Sequence, residues 1–304
     1  MELSQLKSFR AVAEAQSFTR AAARLQLTQS AVSQRIKALE SELGQNLFHR
    51  GRGGVTLTAA GRGALELAQR ILDEVDALRD EVSGGAEPRG RVRIAAASPS
   101  LLELFDGPFR SFGRAHPGVE IATRATTNTS QTLADLREGL ADIGFVSLPV
   151  DSTALRVTPL FEDELVLVVD PDHPLAQGGE FSATALAGEQ LALFAPDATV
   201  RRTCEELFQR LGVALPLAVE VSDIQLIKRA VVQGVGSSVL PAWSVRDEVE
   251  AGRIAQLRVR GHRLRRVVAA ASPARGQTAA SRGLLDYLVA RRDELQAFAR
   301  DAAA

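Results

Sequence analysis

Residues 17–50 read SFTRAAARLQLTQSAVSQRIKALESELGQNLFHR, and the spacing of apolar positions here decides the architecture of the N-terminal part of the chain. Ser17 stands as an N-cap before a short helical pattern whose inward face is Phe18, Ala21, Ala22 and Leu25. Thr28 caps a second pattern, in which Val32, Ile36, Leu39 and Leu43 form one stripe and Gly44 supplies the stop. Only Gln26 and Leu27 separate the two, so the joint is a tight turn. Upstream, Leu3, Leu6, Phe9, Val12 and Ala13 recur every three or four residues and predict a supporting helix over residues 2–15. Two short helices on a tight turn after a support helix make a helix-turn-helix.

With that stripe buried, Ser30, Ser33, Gln34 and Lys37 face outward, and Gln29 lies in the first turn. These side chains donate and accept hydrogen bonds at the helix end that reaches base edges in a major groove. A long glutamine bridges adenine bidentately, and serines suit bases or phosphates. Residues 47–58, LFHRGRGGVTLT, predict a β-hairpin wing with Arg50 and Arg52 on a glycine-rich tip, placed for backbone or minor-groove contact. Between Ser17 and Arg62 seven basic residues stand against two acidic ones, while the whole chain carries a net charge of −1, so the remainder is acidic. A compact basic segment on an acidic chain is the footprint of a local nucleic-acid module, and together with the helix and wing it points to double-stranded DNA.

The 304 residues predict two or three compact units, and 45% apolar with 24% charged residues is ordinary globular composition. No apolar run approaches the roughly 18–20 residues of a membrane span, and the N-terminus lacks a signal-peptide core, so a cytoplasmic protein without a membrane partner is expected. The single cysteine, Cys204, excludes an intrachain disulfide and a Cys-rich zinc site. His49, His116, His173 and His262 are scattered, and no G-x-S-x-G, H-E-x-x-H or Walker pattern is present. Neither an enzyme nor a metal or other cofactor is expected. Gly234-Val235-Gly236-Ser237 lacks the third glycine of a nucleotide loop and reads as a helix C-cap and turn.

Residues 1–62 resemble the N-terminal domain of LysR-type transcriptional regulators, through SFTRAAARLQLTQSAVSQRIKALESELGQNLFHR and VTLTAAG. The resemblance implies winged helix-turn-helix DNA binding over residues 1–57, with Gln29, Ser30, Ser33 and Gln34 closest to the bases. Next, residues 58–83 predict one long helix, in which Ala64, Ala68, Ile71, Val75, Leu78 and Val82 are spaced as an a/d heptad seam. The seam either packs on the following domain or, as the resemblance implies, forms an antiparallel linker-helix dimer holding two DNA heads for a two-fold operator. Residues 84–90 read as a hinge.

From residue 91 to 304, strand-like runs alternate with helical patterns, which predicts parallel α/β packing. SLLELFDGPFRSFGRA and Ala279–Arg300 each read as one helix. The resemblance continues through FRSFGRAHPGVEI, LREGLADIGFV, DPDHPLA and VVQGVGSSVLP. It implies a regulatory domain of two Rossmann-like subdomains, similar to periplasmic binding proteins: about 91–162 plus 267–304, and about 163–266. Between them a small-molecule effector would lie, with an anion suggested by the polar corners at strand ends. Those corners hold Ser98 and Ser100, Thr127 and Asn128, Ser147, Thr199 and Arg201, and Ser222. Each hydroxyl is also a plausible helix cap, and Arg201 either meets an effector carboxylate or phosphate or pairs with Asp197 or Glu205. Cys204 reads as a half-buried helical residue or, with Arg201 and Arg202 beside it, as a single-thiol sensor. The expected protein is a sequence-specific regulator, a dimer or tetramer through its linker helix and regulatory domain, with RNA polymerase a further candidate partner. The alternative is a regulator with no small ligand, constitutive or responding through oxidation at Cys204.

Overall fold

The three N-terminal helices form where the apolar periods place them: α1 (Leu3–Ala15), α2 (Phe18–Leu25) and α3 (Gln29–Leu43). A computed structural model of the chain describes residues 1–51, 54–82, 87–215, 217–221 and 223–301. It divides into two compact units, Met1–Glu87 and Pro88–Ala304.

In the first unit Ser17 and Thr28 cap their helices through their side chains, each accepting from the backbone N–H three residues on. Gly44 ends α3 with φ at +67°, in the left-handed region that glycine adopts without strain. Val32, Ile36 and Leu39 of the predicted stripe are fully buried, whereas Leu43 is exposed, because α3 outruns the two shorter helices that cover it. Strands β1 (Phe48–Gly51) and β2 (Gly54–Leu57) pair antiparallel as the wing. Phe48 closes the core, meeting Phe9 and Phe18 edge-on with ring centroids 5.4 and 5.9 Å apart. Thr58 then turns the chain into α4 (Ala59–Val82): its Oγ1 donates to the Asn46 carbonyl (2.8 Å) and accepts from Gly61 N–H (2.8 Å). Gly61 must be glycine, since a Cβ there would lie 2.0 Å from the Leu47 carbonyl oxygen. Along α4, Ala68 and Leu72 are buried in the same core, while Leu67, Ile71, Leu78 and Val82 are exposed.

The second unit is built on an eight-stranded sheet. Its elements in chain order begin β3 (Gly90–Ala96), α5 (Pro99–Glu103), α6 (Asp106–Ala115), β4 (Val119–Ala125), α7 (Thr129–Arg137), β5 (Ile143–Ser147) and β6 (Leu155–Val169). There follow β7 (Glu180–Phe181), β8 (Leu191–Leu193), α8 (Thr199–Arg210), β9 (Leu217–Glu220), α9 (Ile224–Val232), β10 (Ser238–Pro241) and α10 (Arg246–Glu250). Last come β11 (Ala255–Val259), β12 (Leu264–Pro273), α11 (Ala279–Ala290) and α12 (Arg292–Asp301). The strand order is β4-β3-β5-β12-β6-β11-β7, with β10 also on β6 and β8-β9 as a separate parallel pair. Pairing is parallel from β4 through β3 to β5, as expected, but β12 runs antiparallel to both β5 and β6, and β10 and β11 run antiparallel to β6. The all-parallel expectation is therefore corrected to a mixed sheet. Two of the expected single helices are also broken: α5 ends before Phe105, whose ring stacks on Phe145 at 3.9 Å, and the C-terminal segment splits at Arg291 into α11 and α12.

Strands β6 and β12 each contribute to the cores of both lobes. Phe161 and Val268 belong to the apolar core around Phe105, Phe112 and Leu284. Leu165 and Leu264, a few residues along the same two strands, belong to a second core around Phe208, Leu191 and Val239. The segments where the strands cross from one core to the other, Glu162–Glu164 and Arg265–Val267, are paired register to register and are charged at every position but Val267.

Candidate functional site

On α3, Gln29, Ser30, Gln34 and Lys37 are exposed and Ser33 is half-buried. Gln29, Ser33 and Lys37 are four residues apart and share a stripe, with Ser30 and Gln34 on the adjoining one, so all five lie on one outward face. The Gln29 amide donates to Ser33 Oγ (3.0 Å), and the hydroxyls of Thr28 and Ser30 are 3.0 Å apart. Glu40, on the inner side, accepts from the N–H groups of Leu47 and Phe48 (2.8 and 3.3 Å), tying the wing's first strand to α3. Arg50 lies in that strand, and Arg52 falls outside the described residues.

In the second unit a cavity of about 90 Å³ opens between the two lobes, beside the crossing of β6 and β12. Five of the eight residues expected at an effector site line it: Ser98, Thr127, Asn128, Ser147 and Thr199. They converge because helices α5, α7 and α8 begin at the cleft. Ser98 precedes Pro99 at the start of α5 but makes no side-chain cap bond there, so its hydroxyl is not committed to the helix. Asn128 caps α7 by accepting from Gln131 N–H (2.8 Å), and its amide donates across the cleft to Asp197 (2.6 Å). The hydroxyls of Thr129 and Thr199, one from each lobe, approach to 3.4 Å beside that bond.

The other three expected residues are not in the lining. Ser100 is buried in the first turn of α5, Ser222 falls outside the described residues, and Arg201 is not in the cleft lining. Arg201 is buried against Glu205 (Nε to Oε1, 2.5 Å) and donates to the Phe194 carbonyl (3.3 Å). Of its two readings the structural pair is the one realised.

The cation that does reach the pocket is Arg266, on β12. It donates to Ser147 Oγ (3.3 Å) and is held from behind by Asp163, 2.7 Å away on β6 and fully buried. Burial pushes the Asp163 carboxyl above the usual range, against the opposing pull of the Arg266 guanidinium. Trp243 also lines the pocket, and its buried indole N–H is directed at the Asp163 carboxylate, which it helps to hold charged. Neither residue stood out in the sequence: RRVVAAA reads as one more apolar strand, and Trp243 follows another.

Cys204 is 1% exposed, not half-buried, and burial pushes its thiol up to about 12 despite Arg201 nearby. A thiol so placed stays protonated at neutral pH, which corrects the expectation of an activated thiolate. Among the described residues no cluster of His, Cys, Asp or Glu is arranged to hold a metal, and no helix is long and apolar enough to cross a membrane.

Two family models match, the bacterial regulatory helix-turn-helix of the lysR family over residues 3–62 and the LysR substrate binding domain over residues 85–293. The chain belongs to the LysR family. Among its relatives, the RuBisCO operon transcriptional regulator of Allochromatium vinosum is 30% identical over 270 residues, covering 86% of each chain. CbnR, solved in complex with its target DNA, is 25% identical with a TM-score of 0.56 over 100% of both chains. The regulatory domain of CcmR from Synechocystis PCC6803, solved in complex with 2-PG, is 26% identical with a TM-score of 0.62, covering 66% of this chain and 97% of that one. This LysR-type protein is thus a DNA-binding transcriptional regulator, with a winged helix-turn-helix followed by a two-lobed α/β effector-binding domain.

Proposed function

We propose that the chain works in the cytoplasm as a regulator that binds and does not catalyse, reading DNA with α3 and sensing a small organic acid in the cleft beside Arg266. The observation that carries the effector reading is the composition of that cleft. Arg266, three helix N-termini and the free Ser98 hydroxyl all present donors to a space that holds several waters' volume. Such a donor surplus suits a carboxylate or phosphate. The bond from Asn128 to Asp197 joins the lobes across the mouth, so a ligand that favours the closed cleft shifts the lobe equilibrium. The 2-PG complex of the CcmR regulatory domain supports a small acidic ligand for this one.

The division we infer is DNA head at 1–57, linker helix at 58–83, hinge at 84–90 and regulatory domain beyond, its lobes being about 91–162 with 267–304 and about 163–266. The exposed Leu67, Ile71, Leu78 and Val82 on α4 support a homo-oligomer formed through that helix.

Thermal melting in the presence of small organic acids tests the effector. A cleft ligand at a hundred times its Kd adds about 2.7 kcal/mol and raises the regulatory unit's Tm, and Asn128→Ala abolishes the rise. A rise that persists in Asn128→Ala removes the cleft from the reading. For the head, footprinting on fragments of the source genome at two salt concentrations is expected to recover a two-fold interrupted site. Alanine at Arg50 and Arg52 weakens binding to all DNA and flattens its salt dependence, whereas Gln29→Ala erodes discrimination between sequences by about 1–3 kcal/mol. Equal, sequence-blind losses from all three would mean that α3 is not the reading helix.

A further inference from the structure

The segment LRVRGHRLRR, residues 257–266, carries five arginines, and only Arg266 is used by the cleft. Of the others, Arg258, Arg263 and Arg265 lie at the rear of the same crossover, while Arg260 stands by Glu180 at 4.0 Å. Residues 162 and 164 of β6 and 265 of β12 point to the sheet face opposite Asp163 and Arg266, as strand alternation requires. There a second cavity, of about 360 Å³, is walled by Arg258, Arg263, Arg265 and Arg300 together with Glu162 and Glu164.

The ion pairs do not consume these arginines. Glu164 is shared between Arg258 at 3.0 Å and Arg263 at 3.9 Å, and Glu162 takes Arg265 at 3.0 Å. Arg300, reaching in from α12, has no ion-pair partner among the described residues. Four guanidinium groups against two carboxylates leave two positive charges in excess, inside a concavity. Like charges are not gathered in this way for stability, since their repulsion opposes it. Guanidinium forks match phosphate and carboxylate oxygens, and the exposed Arg263, Arg265 and Arg300 can turn to a ligand while Arg258 stays on the largely buried Glu164.

We propose that this basin is a second anion site, taking a phosphorylated metabolite with two or more negative charges. Its walls come from both lobes, Arg300 from α12 beside the first core and Arg258 from β11 beside the second. Closing the cleft on one face of the crossover strands spreads the groups on the other. A rear ligand therefore holds the cleft open, and by reciprocity a cleft ligand weakens the rear site. This coupling rests on the cleft reading above; binding at the basin does not.

The test is calorimetric titration of the full-length chain with inorganic pyrophosphate at fixed ionic strength, with sodium chloride as the compensating salt. One pyrophosphate per chain is expected. Binding is expected to weaken at least about tenfold in the Arg263→Ala/Arg300→Ala double variant, which removes the two least-paired cations. Glu162→Gln, which deletes a competing carboxylate, is expected to tighten it. Trp243 is the only tryptophan and lines the cleft, so its emission reports the lobes during the same titration. Absence of pyrophosphate binding at millimolar concentration overturns the proposal. So does binding that neither substitution alters, which would place the anion in the cleft or the DNA head. Binding that follows both substitutions while Trp243 emission stays fixed keeps the site and removes only the coupling. Saturation by an acidic peptide in place of pyrophosphate would identify a protein-docking surface and equally overturn it.

Discussion

Arg266→Ala is expected to destabilise the regulatory unit by about 3–5 kcal/mol, the cost of leaving a buried charge without its partner. Asp163 is fully buried, and Arg266 is its only ion-pair partner in the described structure. For a unit of this size the loss lowers Tm by about 6–20 °C. The pH dependence gives the cause. A carboxyl whose folded pKa lies above its unfolded value binds more protons in the fold, so its contribution is greatest below the unfolded value and is lost as pH rises through the folded one. Removing Arg266 takes away the group that opposes the rise, so the loss of stability in Arg266→Ala is smallest in acid and grows toward neutral pH. The Asp163→Leu/Arg266→Met pair is expected to recover most of the stability while abolishing the effector response, because the charge demand is gone and so is the pocket's cation. Melts of the three variants from pH 4 to pH 8 decide the matter. An Arg266→Ala Tm within about 2 °C of the wild type at neutral pH would show that Asp163 is satisfied some other way.

That ion pair also marks the limit of what the sequence could tell. The head was legible because its information is local: caps at Ser17 and Thr28, a stop at Gly44 and a 3.6-residue stripe fall within a few residues of one another. Leu43 escaped because helix periodicity says which face is apolar, not how far the neighbouring helices extend to cover it. In the regulatory unit, helix starts were readable and so were most of the hydroxyls gathered there, since caps are local too. Which strand face meets the cleft was not. Arg265 and Arg266 are neighbours, and their opposite roles follow from pairing with Glu164 and Asp163, about a hundred positions earlier. The antiparallel crossover that creates this pairing is likewise long-range, which is why an alternating β/α pattern alone suggested a parallel sheet. At Cys204 the neighbouring arginines were visible, but the burial that outweighs them comes from the second lobe's core.

Phe9→Ala is expected to abolish DNA binding while leaving the regulatory unit's unfolding where it is. Phe9 is fully buried on α1 and packs edge-on against Phe48 at the root of the wing. Truncation of such a ring costs about 3–5 kcal/mol, against a typical domain stability of about 5–15 kcal/mol. A head with so small a core has little reserve, and losing the α1–wing contact loosens the scaffold that holds α3. Among the described residues the head's core shares none with the four apolar clusters of the second unit, so the truncation takes no side chain out of those clusters. Two probes separate the units: far-UV ellipticity, which includes the head's helices, and the emission of Trp243, which lies in the regulatory unit alone. In Phe9→Ala the ellipticity should show an early transition that Trp243 does not follow. A matched downward shift of both signals would mean that the two units unfold as one cooperative block, and the DNA-binding head would then owe part of its stability to the domain that senses the effector.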